Sequence, residues 1–395
     1  MEWGPWGRRA KEPAGAAPGA ADAAGSVEAA TAERRFACEQ CGAILTYRPG
    51  TETLVCAYCG HANRIVEAQV EIVENDLRSA LEKGLSQAPV EETRTVKCGS
   101  CAAEFSFDPN VHAGACPFCG HAVVTGTGLN RHIKPAALLP FAIAEGEARE
   151  RIASWLKGLW FAPNKLKQYA RGAGRLAGMY LPYWTYDSKT STRYAGQRGT
   201  IYYVQVPVRT VVNGRPVTQM QSVQKVRWTP VSGRVSRFFD DVLVLASRSL
   251  PAWITDRLEP WDLQDIRPYT EDYLSGFQSE VYQVPLDEGF EAAKEKMRAV
   301  IQGDVRADIG GDLQQIQRMD VTHVDPTFKH VLLPIWITAF TFQGKSYRLC
   351  VNGRTGEVQG ERPYSPWKIA AAVIVAVIAG GLFLILFGDD LGVLR

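Results

Sequence analysis

Cys38-Glu39-Gln40-Cys41 and Cys56-Ala57-Tyr58-Cys59 are two CxxC knuckles separated by fourteen residues. Cys98-Gly99-Ser100-Cys101 and Cys116-Pro117-Phe118-Cys119 repeat the arrangement, with the same spacing, 60 residues further on. Paired knuckles at this distance hold four thiolates in a tetrahedron. The pattern predicts two small β zinc ribbons. Cys38, Cys41, Cys56 and Cys59 are the metal ligands of one, and Cys98, Cys101, Cys116 and Cys119 those of the other. A four-cysteine site leaves no open coordination position, so both expected Zn²⁺ ions are structural, and their binding is largely folding free energy. Gly42, Gly60 and Gly120 follow the second cysteine of their knuckles, where a tight turn favours glycine. Ala102 departs from that pattern. His61 and His121 each follow a Cys-Gly pair; they are alternative ligands or, with four cysteines already present, imidazoles beside the site.

The knuckles bear on the compartment. Thiols that must stay reduced until metal arrives favour the cytosol; a disulfide-linked secreted domain is the competing reading. Residues 1–30 are mostly Ala, Gly and Pro, without the apolar core of a signal peptide. A redox role for CxxC needs a thioredoxin-like βαβ setting, which is not visible.

At the other end, Ile369 to Phe387 is a run of 19 residues without charge or proline. At ~1.5 Å per residue it reaches ~28 Å, close to the ~30 Å hydrocarbon core of a bilayer. Trp367 and Lys368 stand where interfacial anchors are favoured. The expectation is a single-pass, tail-anchored protein. Five basic residues (Lys345, Arg348, Arg354, Arg362, Lys368) precede the span, while Asp389, Asp390 and Arg395 come after it. The positive-inside rule then places the N-terminal domains in the cytoplasm, against the inner membrane.

A length of 395 residues implies several domains, and 46% apolar with 22% charged residues is an ordinary folded composition. The fold class expected is multidomain α+β. Residues 1–33 form a disordered tail, 34–66 zinc ribbon one, 67–94 a helical linker and 95–125 zinc ribbon two. Residues 126–366 form a mixed α+β domain, 367–388 the transmembrane helix and 389–395 a short tail. The linker carries Val73, Leu77, Leu81 and Leu85 on one helical stripe.

In the α+β domain, helices are expected from Glu145 to Trp160, from Pro163, and from about Asp287, an N-cap candidate, to Ile301. Strands are expected over Thr200–Val211 and Val217–Trp228 about an Asn213-Gly214 turn, and on both sides of Asn352-Gly353. The domain contains signs of an internal duplication: Glu145-Gly146, a helix and Leu181-Pro182-Tyr183-Trp184, against Glu288-Gly289, a helix and Leu333-Pro334-Ile335-Trp336.

No catalytic constellation emerges, and no small-molecule substrate is expected. Ala339 to Ser346 fits a relaxed phosphate-loop string ending Gly344-Lys345-Ser346, but Tyr347 to Val351 read as strand, so a β-hairpin is expected and helicase or ATPase activity is disfavoured. His112 lies inside zinc ribbon two, and His323 and His330 are read as flanking a turn. Cys350 reads as a small buried hydrophobe, and Asp240, Asp241, Asp304, Asp308 and Asp312 show no metal-binding spacing. Aromatics from Trp155 to Tyr203 interleave with Lys157, Lys165, Lys167, Arg171 and Arg175. That mixture suits single-stranded nucleic acid, an ordinary core with a basic face, or anionic headgroups. A net charge of +2 argues against a strongly basic nucleic-acid binder.

The tandem cysteines, tryptophan-rich middle and C-terminal span resemble a bacterial family of zinc-ribbon membrane proteins. Its ribbons are of the transcription-factor-IIB or primosomal-helicase type. Likeness to the helicase covers the cysteines alone; its motor motifs are missing. The resemblance implies an adaptor that presents cytoplasmic zinc ribbons to a protein partner in envelope stress. Partners it implies are SPFH/virion-core-like or phage-shock-protein-A-like proteins. The alternative is a membrane-attached nucleic-acid-binding protein without its own motor.

Overall fold

The computed structural model describes residues 38–43, 45–66, 71–83, 90–97, 104–106, 113–115, 118, 122–124, 128–163, 176–212, 215–343 and 345–387. Strands β1 (Leu45–Tyr47), β2 (Thr53–Cys56) and β3 (Ala62–Arg64) form a small antiparallel sheet beside the first cysteine quartet. After them come β4 (Asn75–Asp76), α1 (Leu77–Lys83), β5 (Val90–Lys97), β6 (Glu104–Ser106), β7 (Ala113–Ala115), β8 (Ala122–Val124), β9 (Gly128–Ile133) and β10 (Ala137–Leu138). Next are α2 (Glu145–Gly158), β11 (Ala177–Val212), β12 (Arg215–Leu245), β13 (Arg267–Pro268) and β14 (Gln278–Glu280). The chain continues through α3 (Leu286–Ile309), β15 (Leu313–Phe342), β16 (Lys345–Asn352), β17 (Val358–Gly360) and α4 (Pro366–Phe387). The molecule is mixed α+β and mostly sheet, as expected.

β11 and β15 run antiparallel through the centre, and Leu181 pairs with Leu333. The same pattern is laid down on both sides of that pair. β10 runs parallel to β15 with Ala137 against Val331, and β14 parallel to β11 with Met179 against Gln278. β12 returns along β11 with Tyr183 against Leu245, and β16 along β15 with Ile335 against Asn352. The backbone N–H of Ala246 donates to Pro182 and that of Gly353 to Pro334, each at 2.9 Å. The Ala246 carbonyl accepts from Gln283 and Val284; the Gly353 carbonyl accepts from Ala142 and Ile143. Each half thus reads short strand, helix, long strand, return strand, and each short strand lies against the other half's long strand. The Glu-Gly pairs are not equivalent positions: α2 starts at Glu145, but α3 starts at Leu286, two residues before Glu288.

The α3 stripe Leu286, Gly289, Ala293, Met297, Ile301, Val305 and Ile309 is buried, with helical spacing, against Trp184, Tyr186, Tyr194 and Phe239. The helix outruns the expected Ile301 and stops where Gly310 and Gly311 take φ +66° and +79°. Pro285 is its N-cap, without a side-chain bond; Asp287 lies in the first turn, where its charge favours the helix dipole. α2 ends at Gly158 and buries Ala148, Ile152 and Leu156. The stretch from Asn164 to Arg175, with the helix expected from Pro163 and its basic residues, lies outside the described residues, as does the Asn213-Gly214 turn. α1 is shorter than the expected linker helix: Val73 precedes it, exposed, because Asn75 and Asp76 pair with β15 instead, and Leu85 is outside the described residues. His323 and His330 do not flank a turn; both sit within β15, whose cross-strand pairing with β11 continues through them.

β11 and β12 continue as a two-stranded arm past Gly199, where β11 loses its pairing with β15. Thirteen residue steps from Gly199 to Val212 at ~3.3 Å each make the arm roughly 40 Å long. The backbone N–H of Ile201 points away from β12, to the Asp312 carboxylate at 2.7 Å. By period two, Pro207, Pro216 and Pro230 fall on outward positions of the two edges, where no ladder bond needs their missing N–H.

Candidate functional site

The first cysteine quartet is built from two like turns. The N–H of Gly42 donates to Cys38 at 2.8 Å and that of Gly60 to Cys56 at 3.0 Å. The N–H of Cys38 donates to Ala43 at 2.7 Å and that of Cys56 to His61 at 2.8 Å. Gly42 and Gly60 take φ +72° and +73°, which explains glycine at both turns. The four Sγ atoms lie within 4.8 Å of one another, with Cys38 to Cys59 and Cys41 to Cys56 each at 3.5 Å. Sulfurs around a tetrahedral zinc with ~2.3 Å bonds stand about 3.8 Å apart, so these spacings suit a metal, and they are too long for a disulfide.

The electrostatics agree. The Cys56 thiol is lowered to about 6, chiefly because the backbone N–H of Cys59 points at it. The N–H of His61 pulls Cys59 down, but burial and the protons shared with Cys38, Cys56 and Cys41 outweigh it and push that thiol up to about 12. Four sulfurs this close cannot all be anionic without a cation among them. The cluster is compatible with zinc. His61 is not one of its members. Cys98, Cys101, Cys116 and Cys119, and with them His112 and His121, lie outside the described residues.

This module is not a free appendage. Leu45, Tyr47, Leu54, Cys38 and Cys56 belong to one apolar cluster with Phe141, Tyr180, Tyr273 and Trp336. The Tyr47 hydroxyl donates to the Phe141 carbonyl at 3.0 Å, and burial raises its phenol, keeping it a donor. The Ser275 hydroxyl donates to the Leu45 carbonyl at 2.6 Å. The quartet therefore staples a surface of the α+β domain.

The arm is the second feature. From Ser188 to Phe239 there is no Asp or Glu, against nine basic residues. Two serve the fold: Arg198 donates to the Ile309 carbonyl, and Arg237 grips Asp304 through two 2.6 Å bonds. Lys189, Arg193, Arg209, Lys225, Arg227 and Arg234 have no carboxylate partner among the described residues. Arg193 and Arg234 even stand directly opposite each other. Tyr203, Met220 and Trp228 are exposed along the arm. A composition average of +2 conceals this strip.

The third feature is α4, 22 residues and ~33 Å long, lying outside the packed body. By length and composition it is a candidate membrane anchor. The N–H of Ser365 bonds to Phe161 and Lys368 Nζ to Ala162, so it leaves the body beside the end of α2. That end adjoins the β15–β16 hairpin. Because β11 and β15 are antiparallel, the arm extends from the opposite end.

Other readings of the sequence also find their places. Lys345 opens β16 directly opposite Phe342 of β15, so the phosphate-loop string runs between antiparallel strands with no helix behind it. Cys350 is fully buried, and burial pushes its thiol up to about 12. Spacing alone missed one cluster: Asp187, Asp240 and Asp241 converge where the β11–β12 register shifts. Burial, then a hydrogen bond shared with Glu74, pushes the Asp187 carboxyl up to about 6. Lys329 answers the charge, 2.8 Å from Asp241 and 3.2 Å from Glu74. Asp187 lies 53 residues before Asp240 and meets that pair only because β12 folds back on β11, so no linear motif announces the group.

No protein-family model and no solved structure matches the chain. It is similar to a Bacillus subtilis (strain 168) protein described only as uncharacterized protein YdjG. The two are 25% identical over 353 residues, covering 89% of this chain and 96% of that one.

Proposed function

We propose that the chain is a non-catalytic adaptor held at the inner membrane by α4, with its N-terminal modules in the cytoplasm. Two structural zinc ions stabilise it, one on Cys38, Cys41, Cys56 and Cys59, the other on Cys98, Cys101, Cys116 and Cys119. The observation that carries this reading is the placement of the anchor and the arm at opposite ends of the central strands. A protein fixed at one end and projecting an unpaired, acid-free hairpin at the other is built to hold something away from the bilayer. The first zinc ribbon is committed to the body on one face, so it contributes its outer face, where Tyr58 is exposed. The family resemblance points to SPFH/virion-core-like or phage-shock-protein-A-like partners.

The matched bonding about Leu181 and Leu333 supports a tandem duplication of one strand–helix–strand–strand unit as the origin of the α+β domain. On this reading the second copy's hairpin stayed short near the membrane, and the first copy's lengthened into the arm.

The acid-free arm also favours a second reading, a membrane-attached nucleic-acid-binding protein. Affinity purification of the full chain from detergent-solubilised membranes, with and without Cys116→Ser, tests both. A defined protein partner retained as salt rises supports the adaptor. Co-purifying nucleic acid, lost steeply with salt, supports the rival.

A further inference from the structure

A cavity of about 440 Å³ opens beside the start of α4. Arg257, Lys345 and Arg362 line it, with Trp253 and Tyr364 at its wall. Its one carboxylate among the described residues, Glu361, is already held by Arg348 through bonds of 3.1 and 3.2 Å. Arg257 lies over the Trp253 ring at 5.7 Å, and Arg362 over the Tyr364 ring at 5.3 Å. Lys345 is exposed and has no carboxylate partner among the described residues. The hollow is therefore cationic, with aromatic walls that hold two of its cations in place.

Its position gives the ligand class. Tyr364 is two residues before Pro366, the first residue of α4, so the cavity stands where a membrane-spanning helix would leave the bilayer. Around the same level Trp160 and Trp367 are 85% and 84% exposed, and Phe161, Trp253 and Tyr364 are also exposed. Large aromatics left in solvent at one end of an apolar helix form the girdle that sits among headgroups. Cations gathered there meet lipid phosphates.

We infer that this cavity binds the phosphodiester of an anionic phospholipid headgroup, with Arg257, Lys345 and Arg362 as its ligands. The inference rests on reading α4 as a membrane anchor. The anchor holds the chain to any bilayer; the cavity selects the charge of the lipid beside it and so fixes how the body stands on the membrane.

The test uses full-length protein in detergent, titrated with phosphatidylglycerol, phosphatidylcholine or inorganic phosphate, with bound lipid counted by native mass spectrometry. The expected result is one phosphatidylglycerol retained per chain, favoured over phosphatidylcholine by about fivefold or more. The preference should vanish in Arg257→Gln/Lys345→Gln/Arg362→Gln and fall in Lys345→Gln alone, a surface change that leaves folding intact. Equal retention of the two lipids, an undiminished preference in the triple variant, or displacement of the lipid by millimolar-range phosphate would overturn the inference. Flotation with neutral vesicles reports the anchor separately. If the chain floats without lipid preference, the cavity assignment fails and the anchor stands; if it does not float, the anchor reading fails.

Discussion

Trp184 and Trp336 are pinned crosswise. The Trp184 indole donates to the Val284 carbonyl at 3.0 Å, two residues before α3, and the Trp336 indole donates to the Ile143 carbonyl at 2.8 Å, two residues before α2. Each tryptophan belongs to one half of the domain and fixes the start of the other half's helix. Separating the halves breaks both bonds. Trp184→Phe and Trp336→Phe should each cost about 1–3 kcal/mol, and the double variant should be close to additive. Denaturant unfolding in detergent measures this. A null effect at one position with a large effect at the other would show that the crosswise arrangement is not shared.

The first cysteine quartet, a candidate zinc site, shares one apolar cluster with the α+β domain. Cys56→Ser should remove one zinc per chain by elemental analysis and destabilise the whole domain by at least about 3 kcal/mol. Tyr47→Phe separates docking from metal binding: the zinc content should stay unchanged while stability falls by about 1–2 kcal/mol through the lost bond to Phe141. If Cys56→Ser left the unfolding of the domain unaltered, the staple would be dispensable.

Asp187 makes a pH prediction. Its folded carboxyl, at about 6, lies above its unfolded value of ~3.9, so the folded state holds the proton more tightly. The stabilisation from that proton is full below the unfolded value and is lost as pH rises through the folded one. Lys329 keeps Asp241 and Glu74 as partners when Asp187 is neutralised. Asp187→Asn should therefore be neutral to stabilising, on the order of 1 kcal/mol, at about pH 7.5, with no gain at about pH 5. Comparing thermal midpoints of the two proteins at each pH removes the effect of acid on the metal. Destabilisation by more than about 2 kcal/mol at the higher pH would mean the charged carboxylate is needed.

Shortening the arm by joining Tyr202 to Lys225 through a two-residue turn should leave the thermal midpoint and membrane retention unchanged. Few arm side chains enter the core, and the sheet closes at Gly199. Partner retention should be lost. A partner that still bound would have to use a surface other than the arm.

Features carried by local chemistry were legible in the sequence. The knuckle turns needed Cys and Gly at fixed offsets. The long apolar helix α4 needed an unbroken apolar run, and Asn213-Gly214 correctly announced strands on both sides. Elements decided at long range were not. Asn75 and Asp76 were read into a helix because Leu77 and Leu81 carry helical spacing; pairing with Phe328 and Thr327 draws them into the sheet. Asp287 looked like a cap because its side chain could serve, but Pro285 already sets the extended backbone that starts α3. The repeated Leu-Pro-x-Trp was visible. Its crosswise use was not, because nothing in either copy says which helix its indole meets. The acid-free arm was present in the composition all along, hidden by acidic residues elsewhere.

The prolines of the arm have a consequence for growth of the sheet. Pro207, Pro216 and Pro230 each remove a donor from an outward edge, and the bare cations beside them repel an identical neighbour. A hairpin this long with intact edges is a template for pairing with a neighbouring chain. With both edges broken, the arm can stand at high local concentration and the chains still remain separate molecules.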